Sequence, residues 1–157
     1  MSHDAELRSA SDRLAIIEVL TRYATALDAR DWRLLDDFFA PDAVAHLGGK
    51  PLRGVEAVRA LIRSLLDGCG TTQHLLSNFR IELAGDRATS VCSVRAFHAG
   101  SGAASDLSYE LFGEYRDELA RRPEGWRVVS RRIAVRHETG TREVLGPGRP
   151  PPRPPET

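Results

Sequence analysis

Cysteine is scarce in this chain of 157 residues, and its two copies are not spaced as metal ligands. Cys69 lies between glycines and Cys92 lies in a predicted strand, with no CxxC pair and no adjacent histidine. A structural zinc site needs four ligands at characteristic spacings, and a disulfide framework needs several cysteine pairs. We therefore expect two free thiols and no bound metal.

Net charge is also missing, because 22 basic residues balance 22 acidic ones. Nucleic acids and anionic membranes bind to basic surfaces, so the composition excludes both as partners. No apolar run approaches the roughly 20 residues that span a bilayer, and the first residues lack the basic and apolar regions of a secretory signal. The expected location is the cytoplasm.

Composition divides the chain into three parts. Residues 1–10 have no apolar pattern and are expected to be a flexible N-terminus. Residues 11–140 contain the apolar residues of one domain with a core of its own. Residues 141–157 are rich in proline and have little apolar area to bury, so a disordered tail is expected there.

The predicted domain changes its apolar period near its middle. Up to about residue 67, apolar residues recur every three or four positions, which is typical of helices; from residue 72 they alternate, which is typical of strands. This order predicts an α+β fold with three N-terminal helices packed on a curled antiparallel sheet. The predicted helices span 12–29, 31–39 and 55–67, and the predicted strands span 43–47, 72–83, 88–99, 106–117 and 125–137.

One carboxylate falls on the inward face of the first predicted helix. Asp28 follows Ala24, Thr21 and Ile17 at spacings of four, three and four residues, which continues the stripe that faces the core. An ionised carboxylate in that position is costly, and the negative end of the helix dipole adds to the cost. Asp28 therefore needs a cationic or proton-sharing partner.

His74 is the candidate partner, in the first long strand. Strand alternation places Thr72, His74, Leu76 and Asn78 on one face. A carboxylate that accepts a hydrogen bond from one imidazole nitrogen fixes the tautomer and makes the other nitrogen a competent general base. An Asp28–His74 pair would therefore be suited to removing a proton from a substrate.

Three further polar residues are candidates for the same cavity. His98 closes a row of small apolar residues on the next strand, as a residue of a pocket wall does. Tyr23 precedes Asp28 by five residues, about 140° round the helix, and can donate a phenolic hydrogen bond. Arg136, near the end of the last strand, can hold an oxyanion or carboxylate. Taken singly, residues of these types are more often structural than catalytic.

The order of elements and three short motifs resemble a known superfamily. The motifs are D-W-x-x-L-x-x-x-F-x-P-D from Asp31, T-Q-H from Thr72 and W-R-V from Trp126. Over about residues 10–140, the chain resembles the NTF2-like (cystatin-like) α+β cone. Within that superfamily it is similar to the SnoaL-like group, which includes scytalone dehydratase, bile-acid 7α-dehydratase, lindane dehydrochlorinase and polyketide cyclases.

The resemblance implies an activity and assigns residues to it. The catalytic dyad of the group falls on Asp28 and His74, its assisting tyrosine on Tyr23, its second histidine on His98 and its strand arginine on Arg136. It implies a cofactor-independent lyase or isomerase, of the dehydratase or polyketide-cyclase type, acting on a small hydrophobic cyclic carbonyl or enone. The alternative is a non-catalytic cone that binds a ligand or assembles subunits, with the Asp–His dyad as a satisfied buried pair.

Self-association is expected from an apolar row on one predicted strand. Leu107, Tyr109, Leu111 and Tyr115 share a face, which we assign to the outer side of the sheet. A monomer would leave that row in water. We therefore expect a homo-oligomer, with a trimer slightly favoured over a dimer.

Overall fold

The computed structural model describes residues 2–146, and its first element is helix α1, His3–Ala29. The predicted helix start at residue 12 is therefore wrong, and residues 3–10 of the predicted N-terminal segment are helical. The Ser2 hydroxyl accepts from the backbone nitrogen of Ala5 and the first turn is acidic, so local capping extends the helix before it reaches the core. Leu14, an apolar residue in the first half of this helix, is 68% exposed.

The chain turns sharply after α1 and enters the sheet sooner than predicted. A 3₁₀ turn, Trp32–Leu34, leads into the four-residue helix α2, Leu35–Phe38. Strand β1, Phe39–His46, begins at the next residue. It includes Ala40 and Pro41, which were expected to lie between the second helix and the first strand. The predicted second helix is thus shorter and less regular than its apolar pattern indicated.

The remaining elements follow the predicted order. Helix α3, Val55–Leu66, buries Val58, Ile62 and Leu66. A two-residue strand β2 that was not predicted precedes it, and four long strands follow it. The strands after β1 are β2 Leu52–Arg53, β3 Thr72–Ala84, β4 Arg87–Ala99, β5 Ser108–Arg122 and β6 Gly125–Gly140.

The sheet has six strands in the order β2-β1-β6-β5-β4-β3. Neighbouring strands are antiparallel except β1 and β6, which run parallel, so the sheet is mixed and not purely antiparallel. Bulges interrupt β3 between Ser77 and Arg80 and occur twice between β5 and β6. Bulges bend the strands, and the helices fill the concave side of the sheet. The predicted α+β class is confirmed.

The apolar row that was assigned to the outer face lies on the concave face instead. Tyr109 and Tyr115 are 2% and 5% exposed, and they pair with His98 and Cys92 of the neighbouring strand. Period-two alternation identifies a row but not its side of the sheet, which is why the assignment was wrong. The premise for self-association is lost, and the oligomeric state stays a prediction.

Residues after β6 also belong to the folded body. A 3₁₀ turn spans Arg142–Val144, Val144 is buried, and its carbonyl oxygen lies 3.2 Å from the Cys69 sulfur, which donates to it. The predicted tail therefore starts too early at residue 141, and its remainder, 147–157, lies outside the described residues. None of the described helices is long and apolar enough to cross a bilayer.

Candidate active site

The C-terminal turn of α1 meets the start of β3, and this contact brings Asp28 and His74 together. Oδ1 of Asp28 lies 2.7 Å from Nδ1 of His74, and Oδ2 accepts from the His74 backbone nitrogen at 2.9 Å. The side chain of His74 is 5% exposed and that of Asp28 is 27% exposed. The pair is therefore largely enclosed, with the carboxylate nearer to solvent.

The hydrogen bonds of Asp28 settle its charge and the tautomer of His74. Burial by itself would raise the pKa of Asp28, but hydrogen bonds from the ring and backbone of His74, and from Thr72, lower it below its ordinary value. The group is thus an anion at neutral pH and can only accept hydrogen bonds. Nδ1 of His74 must then carry a proton, so the lone pair of the neutral imidazole is on Nε2.

Two residues that the sequence did not single out for this site stand behind the carboxylate. The Thr72 hydroxyl donates to Oδ1 of Asp28 at 3.0 Å, and the Arg30 guanidinium donates to that hydroxyl at 2.8 Å. Thr72 was placed on the correct face by alternation, but nothing local marked it as a partner of Asp28. No motif or periodicity in the sequence indicates a place for Arg30 in this site.

His98 lies beside His74 on the concave face. The two rings are perpendicular with centroids 5.3 Å apart. Nδ1 of His98 is 3.3 Å from the carbonyl oxygen of Tyr109, which can only accept, so Nδ1 carries a proton and Nε2 has the lone pair. Burial, with a smaller contribution from His74, lowers the pKa of His98 to about 4. His98 is therefore neutral at physiological pH.

Polar contacts continue from His98 towards the C-terminal turn. The ring of Tyr109 is tilted against that of His98 with centroids 5.4 Å apart, and its hydroxyl donates to Glu138. Glu138 also pairs with Arg142. Burial raises the pKa of Tyr109, so its hydroxyl keeps its proton. The sequence did not reveal this group, because Tyr109 had been assigned to the outer face.

Tyr23 lies in a different part of the cone. Its ring packs against Phe38 and Tyr115, and the guanidinium of Arg131 lies 4.3 Å from its centroid. Arg131 is completely buried and forms a two-bond ion pair with Asp117, both distances being 2.7 Å. The aromatic cluster thus surrounds a charged pair that the sequence did not predict.

The strand register gives the separation between that cluster and the dyad. His74 pairs with Ala96, and Ala96 pairs with Leu111, so these three residues form one row. Tyr115 lies four residues further along β5, which is about 13 Å at roughly 3.3 Å per residue. The structure therefore does not group the packing partners of Tyr23 with the dyad.

Arg136 lies outside the cone. Its side chain is 61% exposed and pairs with Glu114 at 3.1 Å. It is the extra residue of a bulge, since Gly113 pairs with Val135 and Phe112 with His137. A bulge shifts the alternation by one residue, so counting along the sequence could not place Arg136.

Across residues 2–146, no three His, Cys, Asp or Glu side chains are grouped as metal ligands.

Comparison with known proteins identifies relatives over most of the chain. The family model described as "SnoaL-like domain" matches residues 8–132. The uncharacterized protein Rv2910c of Mycobacterium tuberculosis is 32% identical over 129 residues, which cover 77% of this chain and 83% of that protein.

Solved structures share the fold. A putative aromatic ring hydroxylase from Novosphingobium aromaticivorans has a TM-score of 0.77 at 27% identity, covering 84% of this chain and 94% of that one. A type 2 hexachlorocyclohexane dehydrochlorinase has a TM-score of 0.77 at 20% identity, covering 87% and 93%. A putative scytalone dehydratase from N. aromaticivorans has a TM-score of 0.76 at 20% identity, covering 88% and 91%.

These matches confirm the resemblance that was drawn from the sequence motifs. The fold is the NTF2-like, cystatin-like one, which other solved structures share as well. Since the family model covers most of the described residues, the chain belongs to the SnoaL-like family.

Proposed function

We propose that this protein is a cofactor-independent lyase or isomerase of the dehydratase or polyketide-cyclase type. His74, oriented by Asp28, removes a proton from a carbon next to a carbonyl or enone of a small hydrophobic cyclic substrate. The observation that carries the proposal is the 2.7 Å contact between Asp28 and Nδ1 of His74, which makes Nε2 the basic nitrogen of the neutral imidazole.

The family supports this type of reaction. Two of the solved neighbours are named as a dehydrochlorinase and a putative dehydratase, and both names denote eliminations. The reaction of this chain is argued from its own dyad. The row next to the dyad is apolar, since Leu76 pairs with Val94 and Val94 with Gly113, and this accords with the apolar substrate proposed.

The proposed reaction has two steps. First, Nε2 of His74 takes the proton, and the electrons of the broken C–H bond form an enolate. Asp28 stabilises the imidazolium that results, as a carboxylate does for a histidine base. Second, the imidazolium returns the proton, either to a leaving hydroxyl, which departs as water and leaves a C=C bond, or to another carbon, which gives an isomer.

His98 does not act as an acid in this scheme. A histidine whose pKa is about 4 is not an imidazolium at neutral pH, and its one N–H, on Nδ1, faces the Tyr109 carbonyl, so it is no general acid. His74 therefore serves as both base and acid, and Nε2 of His98 accepts a hydrogen bond from a substrate hydroxyl. Tyr23 and Arg136 take no part, because the first packs in the Arg131 cluster and the second lies outside.

The alternative is a binding or subunit-assembly module. It is favoured by the enclosure of His74, whose side chain is only 5% exposed, and by the complete hydrogen bonding of the Asp28 carboxylate. In that case the pair stabilises the cone and performs no chemistry.

Exchange of substrate protons separates the two functions. Wild-type protein is incubated in D₂O with a panel of cyclic enones and hydroxy-ketones, and deuterium at the α-carbon is followed by NMR, with ultraviolet absorbance for net elimination. We expect exchange in the wild type and a loss of about 10² to 10⁴-fold in His74→Ala. The matched control is His137→Ala, an exposed histidine on β6. Panel members that bind without exchange in the wild type would establish the binding module instead.

A further inference from the structure

A chain of hydrogen bonds runs behind the dyad from Arg30 through Thr72 to Asp28. Nη1 of Arg30 lies 2.8 Å from Oγ1 of Thr72, which lies 3.0 Å from Oδ1 of Asp28. A guanidinium has no acceptor, so the threonine oxygen must accept from Arg30. The single hydroxyl hydrogen of Thr72 is then directed to Asp28, so every hydrogen bond in this series is donated in the direction from Arg30 to Asp28.

Arg30 itself is held by three backbone carbonyl groups. Nη1 donates to Leu27 at 2.6 Å, Nε to Leu66 at 3.1 Å and Nη2 to Gly70 at 3.1 Å. These carbonyls belong to the end of α1, the end of α3 and the turn before β3. The guanidinium therefore joins the three segments that meet at the dyad, and it cannot turn away from Thr72 without losing these bonds.

The backbone of Arg30 gives a second, independent indication. With φ of 57° and ψ of 24°, Arg30 ends α1 in the left-handed conformation, where glycine is the usual residue. A residue with a Cβ is disfavoured there, because the Cβ lies too close to the following carbonyl oxygen. The position therefore favours glycine on backbone grounds, and the side chain of Arg30 makes four hydrogen bonds that glycine would lack.

We propose that Arg30 and Thr72 are positioning residues that fix the Asp28 carboxylate in one orientation and thereby aim the His74 imidazole. The inference rests on the proposed function, since a dyad that performs no chemistry has no base to aim. Oδ1 receives the Thr72 hydroxyl and Nδ1–H of His74, while Oδ2 receives the His74 backbone N–H. With all three donors in place, the carboxylate has a single position.

The test removes only the hydroxyl, by Thr72→Val, and restores it by Thr72→Ser. The matched control is Thr25→Val, because Oγ1 of Thr25 bonds only to the backbone oxygen of Thr21 among its described partners. Two quantities are measured by NMR without substrate: the titration of the Asp28 carboxyl carbon and the solvent exchange of the His74 Nδ1–H. Turnover is measured by the deuterium assay.

We expect Thr72→Val to raise the pKa of Asp28, since a donor to the anion is lost, and to speed exchange of the His74 proton. Turnover should fall about tenfold, which is the effect of roughly 1.4 kcal/mol. Thr72→Ser should restore all three quantities, and Thr25→Val should leave them unchanged. Arg30→Lys keeps the charge but loses the planar fork, so it should shift the same quantities in the same direction.

The outcomes separate this inference from the proposed function. The positioning role is overturned if both NMR quantities keep their wild-type values in Thr72→Val. If the valine variant does not fold, the same result in Arg30→Lys overturns it. A serine variant as impaired as the valine variant also overturns it. If the NMR quantities change as expected while no protein exchanges substrate protons, the orientation of Asp28 is established and the proposed function fails. If turnover is retained in the valine variant, the proposed function stands and the positioning role does not.

Discussion

Replacement of Asp117 by asparagine should cost the protein much of its stability. The variant keeps the shape of the side chain but leaves the charge of Arg131 without its counterion. Both side chains of this pair are 0% exposed, and the guanidinium lies 3.9 Å from the ring centroid of Tyr115 and 4.5 Å from that of Phe38. Although burial alone would lower the pKa of Arg131, Asp117 raises it, so the guanidinium is charged.

The size of the effect follows from this burial. Breaking one partner of a buried ion pair costs about 3 to 5 kcal/mol, because the remaining charge has no water to solvate it. A domain has a free energy of unfolding of about 5 to 15 kcal/mol, so the variant loses a large share of it. At about 2 to 4 °C per kcal/mol for a chain of this length, the melting temperature should fall by roughly 6 to 20 °C.

Urea unfolding followed by far-ultraviolet circular dichroism provides the measurement. Arg131→Met combined with Asp117→Leu removes both charges and should be less destabilising than Asp117→Asn alone. Glu18→Gln serves as a control, since it breaks an exposed ion pair with Arg22 and should have little effect. If Asp117→Asn unfolds at the same urea concentration as the wild type, the buried charge of Arg131 does not depend on Asp117 and the reasoning is refuted.

Three further predictions concern the site and the end of the sheet. His74→Ala and Asp28→Asn should each lower proton exchange by orders of magnitude, while the double variant should be little worse than either, and additive losses would contradict a dyad acting as a unit. The pKa of His98 is about 4 in the folded protein and about 6.5 when unfolded, so the unfolded state binds more protons between these values. Stability measured by urea unfolding should therefore be full above pH 6.5 and fall as the pH drops towards 4, and His98→Gln should weaken this dependence. Gly140→Ala should lower the melting temperature, because φ is +77° and the new Cβ would lie 2.0 Å from the carbonyl oxygen of Ser108. Gly49→Ala, with no atom within 4 Å, should have no such effect.

The sequence predicted the elements that depend on local periodicity. Asp28 and His74 could be paired because the strand period indicated an inward face for His74 and the family motifs agreed. The helical count that placed Asp28 inwards was only partly right, since Ala24 is buried but Thr21 is exposed. The order of three helices and four long strands followed from the same two periods. These predictions needed no knowledge of the register between strands.

The predictions that failed depend on contacts between distant segments. Arg136 was misplaced by a bulge, and Tyr109 was assigned to the wrong side because alternation does not identify the concave face. Arg30 carries no local signal, since its role depends on a left-handed backbone and on a carbonyl of α3. The parallel pairing of β1 with β6 joins opposite ends of the domain, and no periodicity in the sequence indicates which strands pair.

That parallel pairing has a consequence for how the chain folds during synthesis. Strand β1 pairs with β6 along one edge and only with the two residues of β2 along the other. A ribosome that has released the chain only as far as β5 therefore presents β1 without its main partner. Contacts between such distant segments form slowly, and unpaired strand edges are prone to aggregation. We expect the nascent chain to need protection from aggregation until β6 has left the ribosome, and a chain truncated after β5 to aggregate where the full chain stays in solution.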